Sequence, residues 1–310
     1  FQFTNQIIQN HIRKDAAFMI LDDLIRELEY NHGKFPYKEI EEAINKKDEI
    51  TPMLLASLDE IIAHPEIAQQ SKYMFHIYSM YLLAQFREKK AFLKMIDLIS
   101  LPSKIVDDIL GDTLTDGLSS LLYSTYDGQL SCLQCVIENP QINIYARGSA
   151  LDVYGKLYSD GAVSRESFVG YLRMLIKEVP FKGSSYDAEI DLATNIQGVV
   201  INHHLFEMMD DIQDLYDQGR IEIFIHGLYD DFVDWIYSYE NEDIRKRVAY
   251  IEDTIEEMEW WACFERSEKK KVKKKAKNIE DTTLKQLDRL FNGSHQNTQQ
   301  IKKDKIGRND

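Results

Sequence analysis

The chain has 310 residues, 44% of them apolar and 29% charged, which is the composition of a folded chain and not of a disordered one. No uninterrupted apolar run approaches the roughly 20 residues that a membrane helix needs, and the first residues lack the basic start and apolar core of a secretory signal. The net charge is −15, and three cysteines are too few for a disulfide framework. We therefore expect a cytoplasmic protein.

Charge is divided unevenly along the chain. Residues 266–310 carry 14 basic and 6 acidic side chains, whereas residues 1–265 carry 23 basic and 46 acidic ones. An acidic body repels nucleic acid and anionic membranes through its field and attracts basic partners. We predict a helical domain over 1–265 and a lysine-rich, largely disordered tail over 266–310.

The first predicted helices lie before Pro65. Apolar residues at three-and-four spacing predict a helix over 16–30, ended by Gly33, and a short helix after Pro36. Thr51 and Pro52 then predict a helix start, with the hydroxyl as the cap and the proline at the first helical position.

Four prolines recur at a regular interval further along the chain. Pro65, Pro102, Pro140 and Pro180 each follow an apolar helical run, and they are separated by 37, 38 and 40 residues. Proline lacks the amide proton of a helix interior and therefore ends a helix. Because a period of roughly 35 to 47 residues is typical of helical repeats, we predict an all-α fold, a right-handed α-solenoid of stacked helix pairs of the HEAT or TPR type.

The predicted helices between and beyond these prolines follow from their apolar stripes. They cover 74–82 and 92–99, 105–122 and 130–137, 144–159 and 164–179, then 186–217, 221–239 and 241–265. Two Asp-Gly pairs, ending at Gly128 and Gly161, predict turns inside two of the pairs, since glycine tolerates positive φ.

The proline-closed pairs also carry a family resemblance. Together with residues 157–176, they resemble an uncharacterised bacterial HEAT-like family known only as a domain of unknown function. The resemblance covers roughly 10–262 and implies an α-solenoid with no assigned activity. Family members often end in a cysteine-rich zinc module of the SEC-C type. This chain has no clustered cysteines after Cys263, and its lysine-rich tail occupies that place.

Two acidic motifs suggest an alternative function. Both read Asp-Asp-x-x-Asp, as in the helical polyprenyl diphosphate synthases, where such motifs hold Mg²⁺ against a diphosphate. Against this reading, the motifs are only 20 residues apart, no Arg-Arg follows the first, and residues 204–260 carry 17 acidic and 4 basic side chains. Mg²⁺ prefers oxygen ligands, and its candidate ligands here are Asp210, Asp211, Asp214, Asp230, Asp231 and Asp234.

Two further groupings favour structural roles. His203 and Glu207 lie one helical turn apart, but the second Glu-x-x-His half of a helical-bundle metal site is missing. Cys132 and Cys135 form a lone Cys-x-x-Cys inside a helix, without the second pair that a zinc site needs. We interpret these cysteines as buried or half-buried structural residues and predict no cofactor.

The lysine run 269–277 has three interpretations: a solvated tail, a nucleic-acid contact, or a partner of the acidic body. Lysines without interleaved aromatic residues indicate charge attraction and not base recognition. We predict a non-enzymatic helical-repeat scaffold that binds another macromolecule, most simply a basic protein, with nucleic acid contacted only through the tail. The predicted partner contacts are Asp210, Asp214, Asp230, Asp234, Lys270 and Lys274.

Overall fold

The computed structural model describes residues 21–178, 192–238 and 248–264, and it confirms the all-α fold over these ranges. The single extended pairing within them is an isolated bridge between Tyr30 and Tyr73. The chain divides into two compact units, residues 1–259 and 260–310. Every helix described in the next paragraph belongs to the first unit. Of the second unit the structure describes residues 260–264, which form turns.

The helices are numbered in chain order. Their bounds are α1 (21–29), α2 (Tyr37–Asn45), α3 (Lys47–Ala63), α4 (Phe75–Gln85), α5 (Lys90–Ile99), α6 (Ser103–Leu110), α7 (Thr113–Asp116), α8 (Leu118–Thr125), α9 (Leu130–Glu138), α10 (Ile144–Ser159), α11 (Arg165–Glu178), α12 (Leu192–Asn202), α13 (Met209–Asp217), α14 (Ile223–His226), α15 (Tyr229–Ser238) and α16 (Thr254–Met258). A single 3₁₀ turn, Phe206–Met208, precedes α13.

The proline-based helix ends are confirmed at three of four positions. Pro65 follows the end of α3, Pro140 follows the end of α9, and Pro102 lies between α5 and α6. Pro180 lies outside the described residues. The turns at Gly128 and Gly161 are also confirmed, and both glycines have positive φ, 101° and 78°.

The predicted start at Thr51 is wrong. Helix α3 begins at Lys47, directly after Lys46, which ends α2, so Pro52 lies inside the helix. The Thr51 hydroxyl does not cap the helix but donates to the Lys47 carbonyl at 2.7 Å. A proline inside a helix removes one backbone hydrogen bond. The start of α3 is set by the end of α2 and not by Pro52.

Three long predicted helices are interrupted by turns. The run 105–122 is divided into α6, α7 and α8 at Gly111 and Gly117, and Gly111 has φ 49°. The run 186–217 breaks between α12 and α13, where His204 adopts φ 46°, and the run 221–239 breaks at Gly227 with φ 63°. Apolar spacing continued through these turns, so periodicity alone did not reveal them.

Successive helices pack on one another along the chain. Helix α3 contacts α4 and α5, α4 contacts α8, and α10 contacts α8, α9 and α12, while α12 contacts α15. This order is what helical repeats produce when each repeat buries its apolar face against the next. No helix in the described part of the chain is long and apolar enough to cross a bilayer.

The C-terminal end of the first unit departs from nearest-neighbour stacking. Helix α16 packs against α2 and α4, and its first residue, Thr254, binds the side chain of Gln85 on α4. The residues before it bind side chains of α8. The helix predicted over 241–265 is wrong for residues 248–253, which have no helical structure, and only Thr254–Met258 is helical in this stretch. Residues 241–247 lie outside the described residues.

Candidate interaction surface

Each Asp-Asp-x-x-Asp motif lies at the beginning of a helix, on α13 and on α15. The first and third aspartates of both motifs are exposed: Asp210 and Asp214 on α13, and Asp230 and Asp234 on α15. Residues four apart on a helix share a face. Each motif therefore presents two carboxylates to the solvent on one face of its helix.

The second aspartate of each motif has a structural contact instead. Asp211 accepts a hydrogen bond from Arg173 Nε at 3.0 Å, which joins α13 to α11. Asp231 Oδ2 accepts from the Leu228 backbone N–H at 2.8 Å. This contact is half of a capping box, in which the third residue of a helix reaches back to the residue before its start. The middle aspartates therefore stabilise the helices that carry the exposed ones.

The carboxylates of Asp210, Asp214, Asp230 and Asp234 make no hydrogen bond or ion pair with the described part of the chain. Asp217 is exposed one turn beyond Asp214 on α13, and Tyr237 is exposed one turn beyond Asp234 on α15. Sequence analysis missed both residues, although the spacing of three beyond Asp214 and Asp234 was visible. We call Asp210, Asp214, Asp217, Asp230 and Asp234 the acidic face.

Aspartates of both α13 and α15 act on the same side chain, Tyr229. Burial raises the pKa of the Tyr229 phenol, and the carboxylates of Asp210, Asp217 and Asp230 raise it further because they disfavour a phenolate nearby. These carboxylates belong to both helices, so α13 and α15 contribute to one electrostatic surface. Residues 204–260 have a surplus of 13 acidic side chains, which strengthens its negative potential.

No three His, Cys, Asp or Glu side chains of the described ranges group as metal ligands. The six candidate Mg²⁺ ligands all lie within these ranges, and the structure does not bring them together as a set. His203 and Glu207 also turn to different neighbours. His203 Nδ1 lies 3.1 Å from Ser159 Oγ, whereas Glu207 pairs with Arg165. Burial lowers the pKa of His203 to about 4, so the imidazole is neutral at pH 7.

Two arginines of α11 hold the start of α13 in place, and sequence analysis missed both. Arg165 binds both carboxylate oxygens of Glu207, each at 2.8 Å, and lowers the pKa of that carboxyl. Arg173 donates to the Glu207 carbonyl at 2.7 Å and also pairs with Asp211. The partners are separated by 34 to 42 residues, so no local pattern could have indicated them.

The cysteine interpretation is half right. Cys132 is partly buried, but Cys135 is exposed, because the buried side of α9 consists of Leu133, Val136 and Ile137. None of the three cysteines forms a disulfide. Lys270 and Lys274, the predicted contacts in the tail, lie outside the described residues.

Comparison with known proteins now identifies the family. Residues 19–265 match the family described as "Protein of unknown function (DUF1186)". The chain belongs to this family. An uncharacterized protein of Chlamydia trachomatis serovar D is 33% identical over 249 residues, which cover 78% of this chain and 96% of the relative. An uncharacterized protein of Chlamydia muridarum is 32% identical over 249 residues, which cover 78% of this chain and 97% of the relative. No solved structure matches the chain.

The family match locates the lysine-rich tail outside the shared region. The match ends at residue 265, and the two chlamydial relatives leave only 3–4% of their own length unmatched. The lysine-rich tail therefore lies outside the part of this chain that matches the family. The acidic face, by contrast, lies within the part of this chain that matches the DUF1186 family.

Proposed function

We propose that this member of the DUF1186 family is a non-enzymatic helical-repeat scaffold that binds a basic protein through the acidic face. The observation that supports this most directly is the contrast within each motif. The carboxylates of Asp211 and Asp231 are engaged in the fold, whereas those of Asp210, Asp214, Asp230 and Asp234 make no hydrogen bond or ion pair with described residues. Carboxylates without a partner in the described part of the chain are available to a cationic one.

The acidic face stabilises its own helices only in part. Asp210 and Asp230 lie in first turns, where the helix dipole favours negative charge. Asp214, Asp217 and Asp234 lie beyond the first turn, and like charges four residues apart destabilise a helix by about 0.2–0.5 kcal/mol per pair. A basic partner would relieve this repulsion, so binding and stability should be linked at this surface.

Exposed apolar side chains near the acidic face favour a protein over a small cation. Tyr237 is 67% exposed at the end of α15, where its ring contacts the exposed Phe206 at 5.2 Å between centroids. Leu228 is exposed at the other end of the helix, and Phe224 nearby is 94% exposed. A mixed acidic and aromatic surface fits a partner with basic and apolar side chains.

The cysteines support a reducing compartment. Two of the three are exposed and none is paired in a disulfide, as expected for a cytoplasmic protein. We include a cytoplasmic location in the proposed function on this ground.

The test compares two fourfold variants of the full chain that change the same charge. One replaces four residues of the acidic face with asparagine: Asp210, Asp214, Asp230 and Asp234. The matched control neutralises four exposed acids elsewhere, each without a described partner: Glu27, Glu41, Asp48 and Glu166. Binding of a polylysine peptide and of proteins captured from the native cells is measured for both.

We expect the acidic-face variant to lose at least tenfold in polylysine affinity at low salt, and to lose the captured protein that the control retains. Equal losses in both variants would show that net charge alone drives binding, which contradicts the proposal. A titration with Mg²⁺ addresses the diphosphate-enzyme alternative. Thermal stabilisation by millimolar Mg²⁺ that disappears in the acidic-face variant would favour that alternative over the scaffold.

A further inference from the structure

Residues 248–253, which we call the strap, run without helical structure across α8 and α4. Two backbone N–H groups of the strap donate to side chains of α8. Ala249 N–H donates to Ser120 Oγ at 3.3 Å, and Ile251 N–H donates to Ser124 Oγ at 2.9 Å. Just beyond the strap, Thr254 N–H donates to Gln85 Oε1 at 2.9 Å. Side chains of the body therefore bind the backbone of this segment.

The spacing of the two serines matches the spacing of an extended chain. Ser120 and Ser124 lie four residues apart on α8, a rise of about 6.0 Å at 1.5 Å per residue. Ala249 and Ile251 lie two residues apart, about 6.6 Å in an extended chain at 3.3 Å per residue. A pair of helical hydroxyls can therefore accept from alternate amides of any extended peptide, whatever its side chains.

Arg87 recognises side chains as well as backbone. Its guanidinium donates to the Ile251 carbonyl at 2.6 Å and to Glu252 Oε1 at 2.7 Å, and lies 4.2 Å from the centre of the Tyr250 ring. The other face of that ring stacks on Tyr123 at 4.6 Å between centroids. One arginine thus contacts an aromatic, an apolar and an acidic residue in succession.

The backbone of Arg87 supports a dedicated role. Its φ of 56° lies in the left-handed region at the end of α4, where glycine is the unstrained choice. A non-glycine residue in this region is a reason to look for a role of its side chain. The side chain of Arg87 supplies the contacts to the strap just described.

The strap also fills apolar sites. Ile251 is 2% exposed and Val248 is equally buried, while the Glu252 side chain is 79% exposed and Tyr250 is half exposed. The strap is therefore held by two apolar side chains, three backbone polar contacts and one charge pair with Arg87. This combination is the usual chemistry of a bound extended peptide, in which backbone bonds give affinity and side-chain sites give specificity.

We propose that the surface formed by Gln85, Arg87, Ser120, Tyr123 and Ser124 is a peptide-binding site, and that the strap is its ligand from the same chain. The partner that fits it is an extended segment of another protein with an aromatic–apolar–acidic triplet like Tyr250–Glu252. Such a segment competes with a tethered strap whose effective concentration is on the order of millimolar. This site is separate from the acidic face and does not depend on the proposed function.

The test weakens the strap and leaves the site unchanged. A full-length variant with Tyr250→Ala and Glu252→Lys is compared with the wild type for binding a labelled synthetic peptide of residues 246–256. Fluorescence anisotropy measures the affinity, and circular dichroism checks that both proteins are equally helical. Both substituted residues are exposed, Tyr250 at 47% and the Glu252 side chain at 79%, so we expect the variant to remain folded.

We expect the weakened-strap variant to bind the peptide at least tenfold more tightly than the wild type. Adding Arg87→Ala or, separately, Ser124→Ala should remove most of that gain, and a peptide carrying the same two strap substitutions should bind weakly to every protein. Equal affinity of wild type and variant, or a scrambled peptide that binds as well as the native one, would overturn the proposal. Adding Arg87→Lys to the weakened-strap variant keeps the positive charge but removes the two guanidinium contacts. If this protein binds the peptide as tightly as the weakened-strap variant does, the proposal is also contradicted.

Discussion

Helices α4 and α15 are of similar length and are buried to very different extents. Every residue of α4 from Phe75 to Ala84 is buried, including the polar His76 and Ser79. Helix α15 buries only Phe232 and Ile236 and presents aspartates to the solvent. A helix that is apolar all round belongs in a core, whereas one with a single apolar stripe lies at a surface. The first region is built for packing and the second presents charge.

The burial of α4 extends beyond the predicted apolar stripe because polar residues on its other side find partners. Ser79 Oγ lies 2.8 Å from Ser57 Oγ of α3, and His76 Nε2 lies 2.7 Å from the Ile109 carbonyl of α6. Such partners allow polar groups to be buried without a large desolvation cost. Of the acidic face, Asp217 accepts a hydrogen bond from Gln213 of the same helix, and the other four carboxylates have no hydrogen-bond partner among the described residues.

The largest predicted effect is a difference in the free energy of unfolding between truncations on α4 and on α15. Leu82→Ala removes a side chain of α4 with no exposed surface and should lower the free energy of unfolding by about 2–5 kcal/mol. Tyr237→Ala on α15 removes an exposed side chain and should change it by no more than about 0.5 kcal/mol. Urea unfolding measures both. Similar losses in the two variants would contradict the comparison.

The second prediction concerns the pH dependence of stability, to which His76 of α4 and His203, directly after α12, should both contribute. Burial lowers the pKa of both His76 and His203 from 6.5 to about 4. Between these values the unfolded chain binds more protons than the folded one. Stability should therefore be fully present above pH 6.5 and should fall as the pH is lowered toward 4, by about 1.4 kcal/mol per pH unit for each histidine.

Substitution separates the two histidines. His203→Gln should flatten the fall in stability between pH 6.5 and pH 4 and leave the contribution of His76. Urea unfolding at a series of pH values provides the slopes, with His64→Gln as the control because His64 is exposed. An unchanged slope in His203→Gln would mean that this histidine is not held neutral in the fold.

The third prediction distinguishes the aspartates within one motif. Asp231→Ala removes the bond to the Leu228 N–H and should lower the free energy of unfolding by about 0.5–2 kcal/mol. Asp234→Ala removes a repulsive charge and introduces a better helix former, so stability should stay constant or rise by a few tenths of a kcal/mol. Thermal unfolding measures the signs, and a loss in Asp234→Ala as large as in Asp231→Ala would be inconsistent with the proposed roles.

Local patterns predicted much of this fold, and the failures occur where distant contacts override them. The helix ends at Pro65, Pro102 and Pro140 follow from proline chemistry alone, which acts within a few residues. The strap carries enough apolar residues to suggest a helix, but Ser120, Ser124 and Arg87 bind its backbone and side chains from more than 120 residues away. Such tertiary override concentrates at functional or strained sites.

The acidic face was predictable only in part, for the same reason. Both motifs and their helical spacing were visible in the sequence, and Asp210, Asp214, Asp230 and Asp234, all exposed, were among the predicted contacts. The engagement of Asp211 depends on Arg173, 38 residues earlier, so the sequence could not distinguish it from Asp210. Spacing predicts which residues share a helix face, and the fold decides which of them remain exposed.

The smallest predicted effect concerns the lysine-rich tail. The run 269–277 carries seven lysines, opposite in charge to the acidic face. If the run competes with polylysine for the acidic face, at an effective concentration on the order of millimolar, deletion of residues 266–310 should strengthen polylysine binding at low salt. The deleted segment lies outside the region shared with the DUF1186 family, so the remaining chain should fold.

Exposed ion pairs contribute about 0.2–1 kcal/mol each and are screened by salt, so the gain from the deletion should be modest and should disappear near half-molar salt. Replacing the seven lysines of 269–277 with glutamine in the full-length chain is the matched control, because it keeps the length of the tail and removes the charge of the run. This variant should behave like the deletion. If both bind polylysine as the wild type does at low salt, the tail does not compete for the acidic face, and its charge serves only solubility.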